Sequence, residues 1–265
     1  MEATSQVILR NRENMGEGPV LLVDTPADGM VSALNDADLT VRASNQEFGA
    51  FKSLSAQGLA SAFEPVPSAD GDEALVVLRL PREKERLAMV LHALAASMNP
   101  DARLWVVGEK RAGINSATRL LETRFATVRK LDSARHCSLL EARTPRECAP
   151  FSLEDYATTL RVDARPGDLV LTSLPGVFAH GRLDEGTALL RDTLDTCAVA
   201  GDVLDFACGN GVLGISLLVG HAAARLTLLD TSALAIEAAR RSLALNACSA
   251  RVLASDGLGE LDGAF

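Results

Sequence analysis

A chain of 265 residues, 48% hydrophobic and 23% charged, has apolar content enough for the core of one large domain or two modest ones. Its net charge of −9 argues against a protein coated in basic surface, and no apolar run approaches the ~20 residues that span a bilayer. The N-terminus, MEATSQVILRNREN, lacks the apolar segment and cleavage site of a secretory signal; five cysteines (137, 148, 197, 208, 248) without a C-x-x-C pair, beside four scattered histidines, offer neither a disulfide framework nor a metal cluster and fit a reducing cytoplasm.

Along the chain, apolar runs of strand length alternate with segments of helical period, the signature of an α/β protein. GPVLLVD (18–24) and ALVVLRL (74–80) predict strands. A helix follows over about 83–98, with Leu87, Val90, Leu91 and Leu94 on one face. LWVV (104–107) is a strand, Ser116–Arg124 a helix, and short strands fall around 126–130 and 137–141. The loop TPRECAPFS (144–152), with two prolines, marks a domain boundary, placed between residues 147 and 148. Beyond it come strand LVLTS (169–173), a loop with Pro175 and Gly176, and a helix over about 184–198. Strand DVLDFA (202–207) leads into a glycine loop and helix 211–219, strand 225–230 into helix 232–246, and strand 250–255 follows.

Charge is unevenly spread. Residues 103–146 hold ten Lys/Arg against four Asp/Glu, so the rest of the chain is more acidic than the total. On charge alone this basic stretch is either a solvated face or one that meets RNA. Trp105 lies in an apolar strand and reads as core. His136 and Cys137 read as a buried pair.

The stretch VLDFACGNGVLG (203–214) sets a carboxylate, Asp205, at the end of a strand, followed by the small-residue loop Ala207-Cys208-Gly209-Asn210-Gly211. Glycines there let backbone approach a ligand closely. Asp230 ends the next strand, where an acid accepts hydrogen bonds from a ribose diol, and Asp256 ends the one after. Helix capping is the plain alternative for such acids, and Asp205 is poorly placed for it because the loop intervenes. The loop also departs from the dinucleotide fingerprint G-x-G-x-x-G: a carboxylate two residues before Ala207 repels a pyrophosphate and attracts an ammonium. S-adenosylmethionine, with an ammonium, a ribose diol and no phosphate, fits that order of acids better than a nicotinamide cofactor. Cys208 reads as a small packing residue rather than a nucleophile.

On these residues the chain resembles the class I S-adenosylmethionine-dependent methyltransferases. Three further segments, PGVFAHGRLDEGTALL (175–190), LWVVGEKRAGINSA (104–117) and KLDSARHCSLLEA (130–142), make it similar to the bacterial small-subunit ribosomal RNA guanine-N2 methyltransferases within them. The resemblance implies two tandem Rossmann-like methyltransferase-type domains, 1–147 and 148–265, the first a degenerate copy and the second incomplete in this chain; the basic stretch of the first makes it the domain expected to position RNA. Set against GDVLDFACGNGV, the first copy's GPVLLVDTPADG has Leu22 in place of Asp205, and Pro26 and Asp28 in place of Gly209 and Gly211.

The implied activity is methylation of a guanine N2 amine, with S-adenosylmethionine held by Asp205, Ala207, Cys208, Gly209, Gly211, Asp230 and Asp256 and with Thr187 reaching its methionine end. Ribosomal RNA or the small ribosomal subunit is the implied partner; Lys110 and Arg111, in a strand-to-helix loop of the basic stretch, are the expected RNA contacts, and no metal and no membrane are expected. The family's catalytic signature, Asn-Pro-Pro-Phe/Tyr, accepts the amine hydrogens and stacks on the extruded base. It is expected beyond Phe265, so the 265-residue chain reads as an incomplete polypeptide without activity of its own. Three other readings stay open: an inactive fragment that binds RNA or cofactor, a large-subunit ribosomal RNA guanine methyltransferase, and a nicotinamide-dependent oxidoreductase.

Overall fold

The computed structural model describes residues 1–35, 39–163, 167–194, 199–220 and 224–262. The chain divides into two compact units, Met1–Ser152 and Leu153–Phe265, the division falling at the end of the proline-containing loop rather than between residues 147 and 148.

The first unit runs α1 (Ala3–Arg10), β1 (Val20–Val23), α2 (Met30–Asn35), β2 (Val41–Asn45), α3 (Phe48–Ala56), β3 (Ala60–Phe63), β4 (Leu75–Arg79), α4 (Lys84–Ser97), β5 (Arg103–Glu109), α5 (Ile114–Arg124), β6 (Phe125–Ala134) and β7 (Cys137–Pro145). Its seven strands form one sheet in the order β3-β2-β1-β4-β5-β7-β6, with β7 antiparallel to both of its neighbours and the other pairs parallel. Helices cover both faces, so central strands are apolar at every position. Leu21, Val23, Val76, Leu78, Leu104 and Val106 pack in one core with Leu87, Val90, Leu91 and Leu94 of α4, the four residues that the helical period selects. Val20, Leu22, Leu75, Val77, Trp105 and Val107 pack in a second core with Val7 and Ile8 of α1. Fully burying each of these two α1 side chains is worth about 1.5–3 kcal/mol. That tertiary contact holds an eight-residue helix too short to persist alone in water.

Part of the basic stretch gathers around one buried carboxylate, Glu141. The register sets Glu141 opposite both Trp105 and Arg129, and Arg143 opposite Arg103. Glu141, 2% exposed, accepts from Trp105 Nε1 (3.1 Å), Arg129 Nε (3.0 Å) and Arg143 Nε (2.8 Å), with Arg103 3.9 Å away. Burial alone would raise its pKa; the hydrogen bonds from Arg143, Trp105 and Arg129 outweigh it and hold the carboxyl at about 2. Arg146 donates to the carbonyls of Glu122 and Phe125 at the end of α5. These arginines are engaged by the fold, although Arg129 and Arg143 keep 65% and 48% of their side chains exposed.

The second unit begins with an antiparallel pair, β8 (Thr158–Val162) and β9 (Leu169–Ser173). After α6 (Glu185–Leu194) come β10 (Gly201–Phe206), α7 (Val212–Gly220), β11 (Ala224–Asp230), α8 (Ala233–Leu245) and β12 (Arg251–Ala254). The part of the expected helix at 195–198 lies outside the described residues. Strands β10, β11 and β12 form a parallel sheet in that order. Side chains of α8 and of its C-cap, Asn246, pin the backbone of β9. Ser242 Oγ accepts from Thr172 N (3.0 Å), and Asn246 accepts from Val170 N (3.0 Å) and donates to Val170 O (2.7 Å). Among the described residues no helix is long and apolar enough to cross a membrane.

Candidate functional site

The β10–α7 loop is built from backbone that turns sharply. Ala207 (φ 59°), Gly209 (φ 56°) and Gly211 (φ 83°) are all left-handed, which is costly for the alanine and free for the glycines. The turn returns the chain to its own strand, so Gly214 N in the first turn of α7 donates to Asp205 Oδ2 at 2.9 Å. Asp205 therefore does cap the helix, contrary to the expectation from sequence; the loop is tight enough that its intervening residues do not separate the two. Gly214 leaves no room for a side chain unless its neighbours shift. A Cβ there would lie 2.6 Å from Leu228, 2.8 Å from Leu226 and 3.0 Å from Asp205 Oδ2. Sequence reasoning misses this role, because only the two loop glycines draw attention.

Asp230 is fixed from both sides. Its Oδ2 accepts from Gly209 N and its Oδ1 from Ser232 N, each at 2.9 Å, and each oxygen keeps a lone pair for a ligand. Asp205, Ala207, Cys208, Gly209, Asp230 and Thr187 line one cavity of about 510 Å³, within the range of small-molecule sites. A Cβ on Gly209 would find only Val177, 4.0 Å away, so the missing side chain keeps that wall open.

Two expected members fall outside the cavity. Gly211 packs instead under Ile215 and Leu228, where a Cβ would meet carbons at 3.1 and 3.2 Å. Asp256 is exposed: β12 ends at Ala254, and it is the backbone N–H of Ser255 that reaches Asp230 O. Thr187 lines the cavity, but its N–H and hydroxyl are both directed at Asp184 Oδ2 (3.1 and 3.4 Å), which caps α6.

The turn after β9 adds residues that sequence reasoning does not single out. Phe178 (74% exposed), Arg182 and Asp184 also line the cavity. Ser173 Oγ holds this turn through His180 Nδ1 (2.8 Å) and Gly181 N (2.9 Å). The sequence signals for it are the Pro175-Gly176 pair and the segment 175–190 that carries part of the family resemblance.

The lining thus carries three carboxylates, Asp184, Asp205 and Asp230, against one guanidinium, Arg182. Burial pushes the Asp205 carboxyl up to about 6, and the nearby Asp230 charge adds to this against the hydrogen bond from Gly214. Cys208 is buried, and burial together with the two aspartates raises its thiol pKa, which disfavours the thiolate and fits a packing role. Such a cavity accepts a cation and hydroxyl donors and disfavours a pyrophosphate.

The equivalent corner of the first unit is filled. Asp24, left-handed at φ 53° like Ala207, accepts from Gln46 N (3.0 Å) and forms an ion pair with Arg86, while Leu22 is fully buried where Asp205 would stand.

Lys110 and Arg111 lie in a 3-10 turn (Lys110–Ala112) between β5 and α5, both exposed; Arg111 is engaged by Glu109. His136 is exposed rather than buried, whereas Cys137 is fully buried. The pair is split because His136 belongs to the two-residue turn and Cys137 opens β7.

The seven-stranded sheet of the first unit and the strand-end acids of the second define a Rossmann-like methyltransferase. Residues 5–160 match the family model for the N-terminal part of the methyltransferase small domain, and 168–265 that for the methyltransferase small domain itself. Ribosomal RNA small subunit methyltransferase C of Pseudoalteromonas atlantica is 38% identical, over 100% of this chain and 78% of that protein. Its counterpart from Pseudomonas entomophila is 40% identical, over 99% and 78%. The chain belongs to this ribosomal RNA small subunit methyltransferase C family. In fold it is also similar to the T. thermophilus 16S rRNA N2 G1207 methyltransferase, solved with AdoMet and guanosine. The TM-score is 0.86 at 24% identity, covering 98% of this chain and 71% of that one.

Proposed function

We propose that the chain is an S-adenosylmethionine-dependent methyltransferase acting on the N2 amine of a guanine in small-subunit ribosomal RNA. The observation that carries the cofactor assignment is the cavity wall of three carboxylates opposed by a single guanidinium. Asp230, its oxygens aimed by Gly209 N and Ser232 N, receives the ribose hydroxyls. Asp205 faces the ammonium, and Gly209 leaves room for the ligand to lie against backbone. When bound, S-adenosylmethionine supplies an electrophilic methyl group on a sulfonium. Thr187 bounds the cavity through Asp184; Gly211 and Asp256 act outside it, the first by packing. The RNA substrate follows from the named activity of the relatives, and a cytoplasmic location is the reading that agrees with it and with cysteines that form no C-x-x-C pair.

Titration of the full chain with S-adenosylhomocysteine and with NAD tests the cofactor. The first binds and the second does not; the reverse order overturns the assignment.

The first unit, with its own ligand corner filled, positions the RNA. Lys110 and Arg111 stand on a rigid strand-to-helix turn, where exposed side chains are held towards a partner. Replacing both with Ala weakens RNA binding and lowers the slope of log affinity against log salt by about 0.7–0.9 per phosphate deprived of its cation. Affinity for S-adenosylhomocysteine is unchanged. An unaltered RNA affinity and salt slope would make the two residues ordinary surface charge.

A further inference from the structure

The turn between β6 and β7 contains two residues, Arg135 and His136, flanked by the Ala134–Cys137 pair. Both are left-handed, at φ 50° and φ 62°. A two-residue hairpin with positive φ at both positions is the geometry that Asn-Gly adopts without strain. Here it holds two large side chains, each at a steric cost, and both are exposed. Folding gives no reason for this choice of residues.

What surrounds the turn supplies one. Lys110 N donates to His136 O at 2.8 Å, which ties the 3-10 turn after β5 to the hairpin tip. On the other side a depression of about 450 Å³ is lined by Gln6, Val7, Arg10, Ala134 and Arg135, so two guanidiniums border one hollow. The acids at this end are engaged: Glu109 by Arg111, and Asp132 by Arg10 (3.3 Å) and Asn11 (2.8 Å). Among the described residues neither Lys110 nor Arg135 has an ion-pair partner.

We propose that the strained Arg135–His136 turn, with Arg10 and Lys110 beside it, binds the phosphodiester backbone of RNA. The hairpin holds the Arg135 guanidinium and the His136 ring outward on a two-residue tip, and the hollow between Arg10 and Arg135 receives a phosphate. This role rests on the reading of RNA as substrate.

The test replaces the turn by the sequence its geometry prefers. The double substitution Arg135→Asn, His136→Gly relieves the strain, so the full chain melts no lower than the parent. Binding to a fluorescein-labelled RNA stem-loop nonetheless weakens severalfold, and its salt slope falls by about 0.7–0.9 per phosphate deprived of its cation. Arg135→Gln, which leaves the turn backbone as it is, lowers the slope by one such step. Affinity for S-adenosylhomocysteine stays the same in both variants. A double variant that matches the parent in RNA affinity and salt slope overturns the role of the turn alone. An equal loss of binding to poly-glutamate would make an acidic protein surface the partner and overturn it too. A parent chain that does not bind RNA removes the substrate reading, and the role of this turn with it.

Discussion

Asp205→Asn stabilises the ligand-free protein above pH 6 and at the same time weakens S-adenosylmethionine binding. The folded-state pKa of Asp205 is about 6, against an ordinary value of 3.8. A carboxyl whose pKa is raised by folding binds more protons in the native than in the unfolded state between those two values. Stability of the parent therefore falls as pH rises from about 4 to about 6 and is level beyond. A shift of this size corresponds to about 3 kcal/mol, an upper figure because the carboxyl borders an open cavity. Asparagine removes the charge while keeping an oxygen for Gly214 N, so the helix cap survives. Denaturant unfolding measured from pH 4 to pH 8 shows the two proteins diverging across that window; parallel curves contradict the burial argument. Binding moves the other way, because a ligand ammonium favours the ionised carboxylate. Parent affinity for S-adenosylhomocysteine falls below about pH 6, approaching about tenfold per pH unit, and the asparagine variant binds weakly at every pH.

Asp230→Ala removes the acceptor proposed for the ribose diol, a loss of about 1.5–3 kcal/mol for charge-assisted hydrogen bonds, or roughly ten- to 150-fold in affinity. It also frees the N–H groups of Gly209 and Ser232, which in the parent fix the loop and the start of α8. Gly209→Val acts on the same wall by a different route. It puts a branched side chain at φ 56°, costing about 1–3 kcal/mol of backbone strain, and fills the space that the ligand needs. Calorimetry with S-adenosylhomocysteine distinguishes the outcomes. Unchanged affinity in both variants, each folded, contradicts the placement of the cofactor.

How far the sequence reveals this arrangement depends on burial. Strands β1, β4 and β5 lie between two layers of helix, so they read as unbroken apolar runs. Strands β2 and β3 leave no such trace: β2 buries Ser44 and Asn45, and β3 is only partly covered. Helices α1, α2 and α3 have at most nine residues each, too few turns for a helical period to stand out.

At the site, Asp205, Gly209 and Asp230 are legible because strand ends and a glycine loop mark them. Asp256 looks equivalent but lies two residues past the end of β12. The arginines that bind Glu141 escape notice because a charge count does not register that this carboxylate is buried between β5 and β6. His136 is misread for a related reason: a hairpin turn without Gly or Asn carries no turn signal, and only the backbone dihedrals reveal it.

The central claim is that one unit holds S-adenosylmethionine at the Asp205–Gly209–Asp230 wall while the corresponding corner of the other is closed. Selective ¹⁵N labelling of the 20 glycines places reporters in both. Adding S-adenosylhomocysteine to the full chain should shift the amide resonances of Gly209, Gly211 and Gly214 and leave Gly16, Gly18 and Gly29 of the first unit in place. Shifts at the first-unit glycines with none at Gly209 would contradict it.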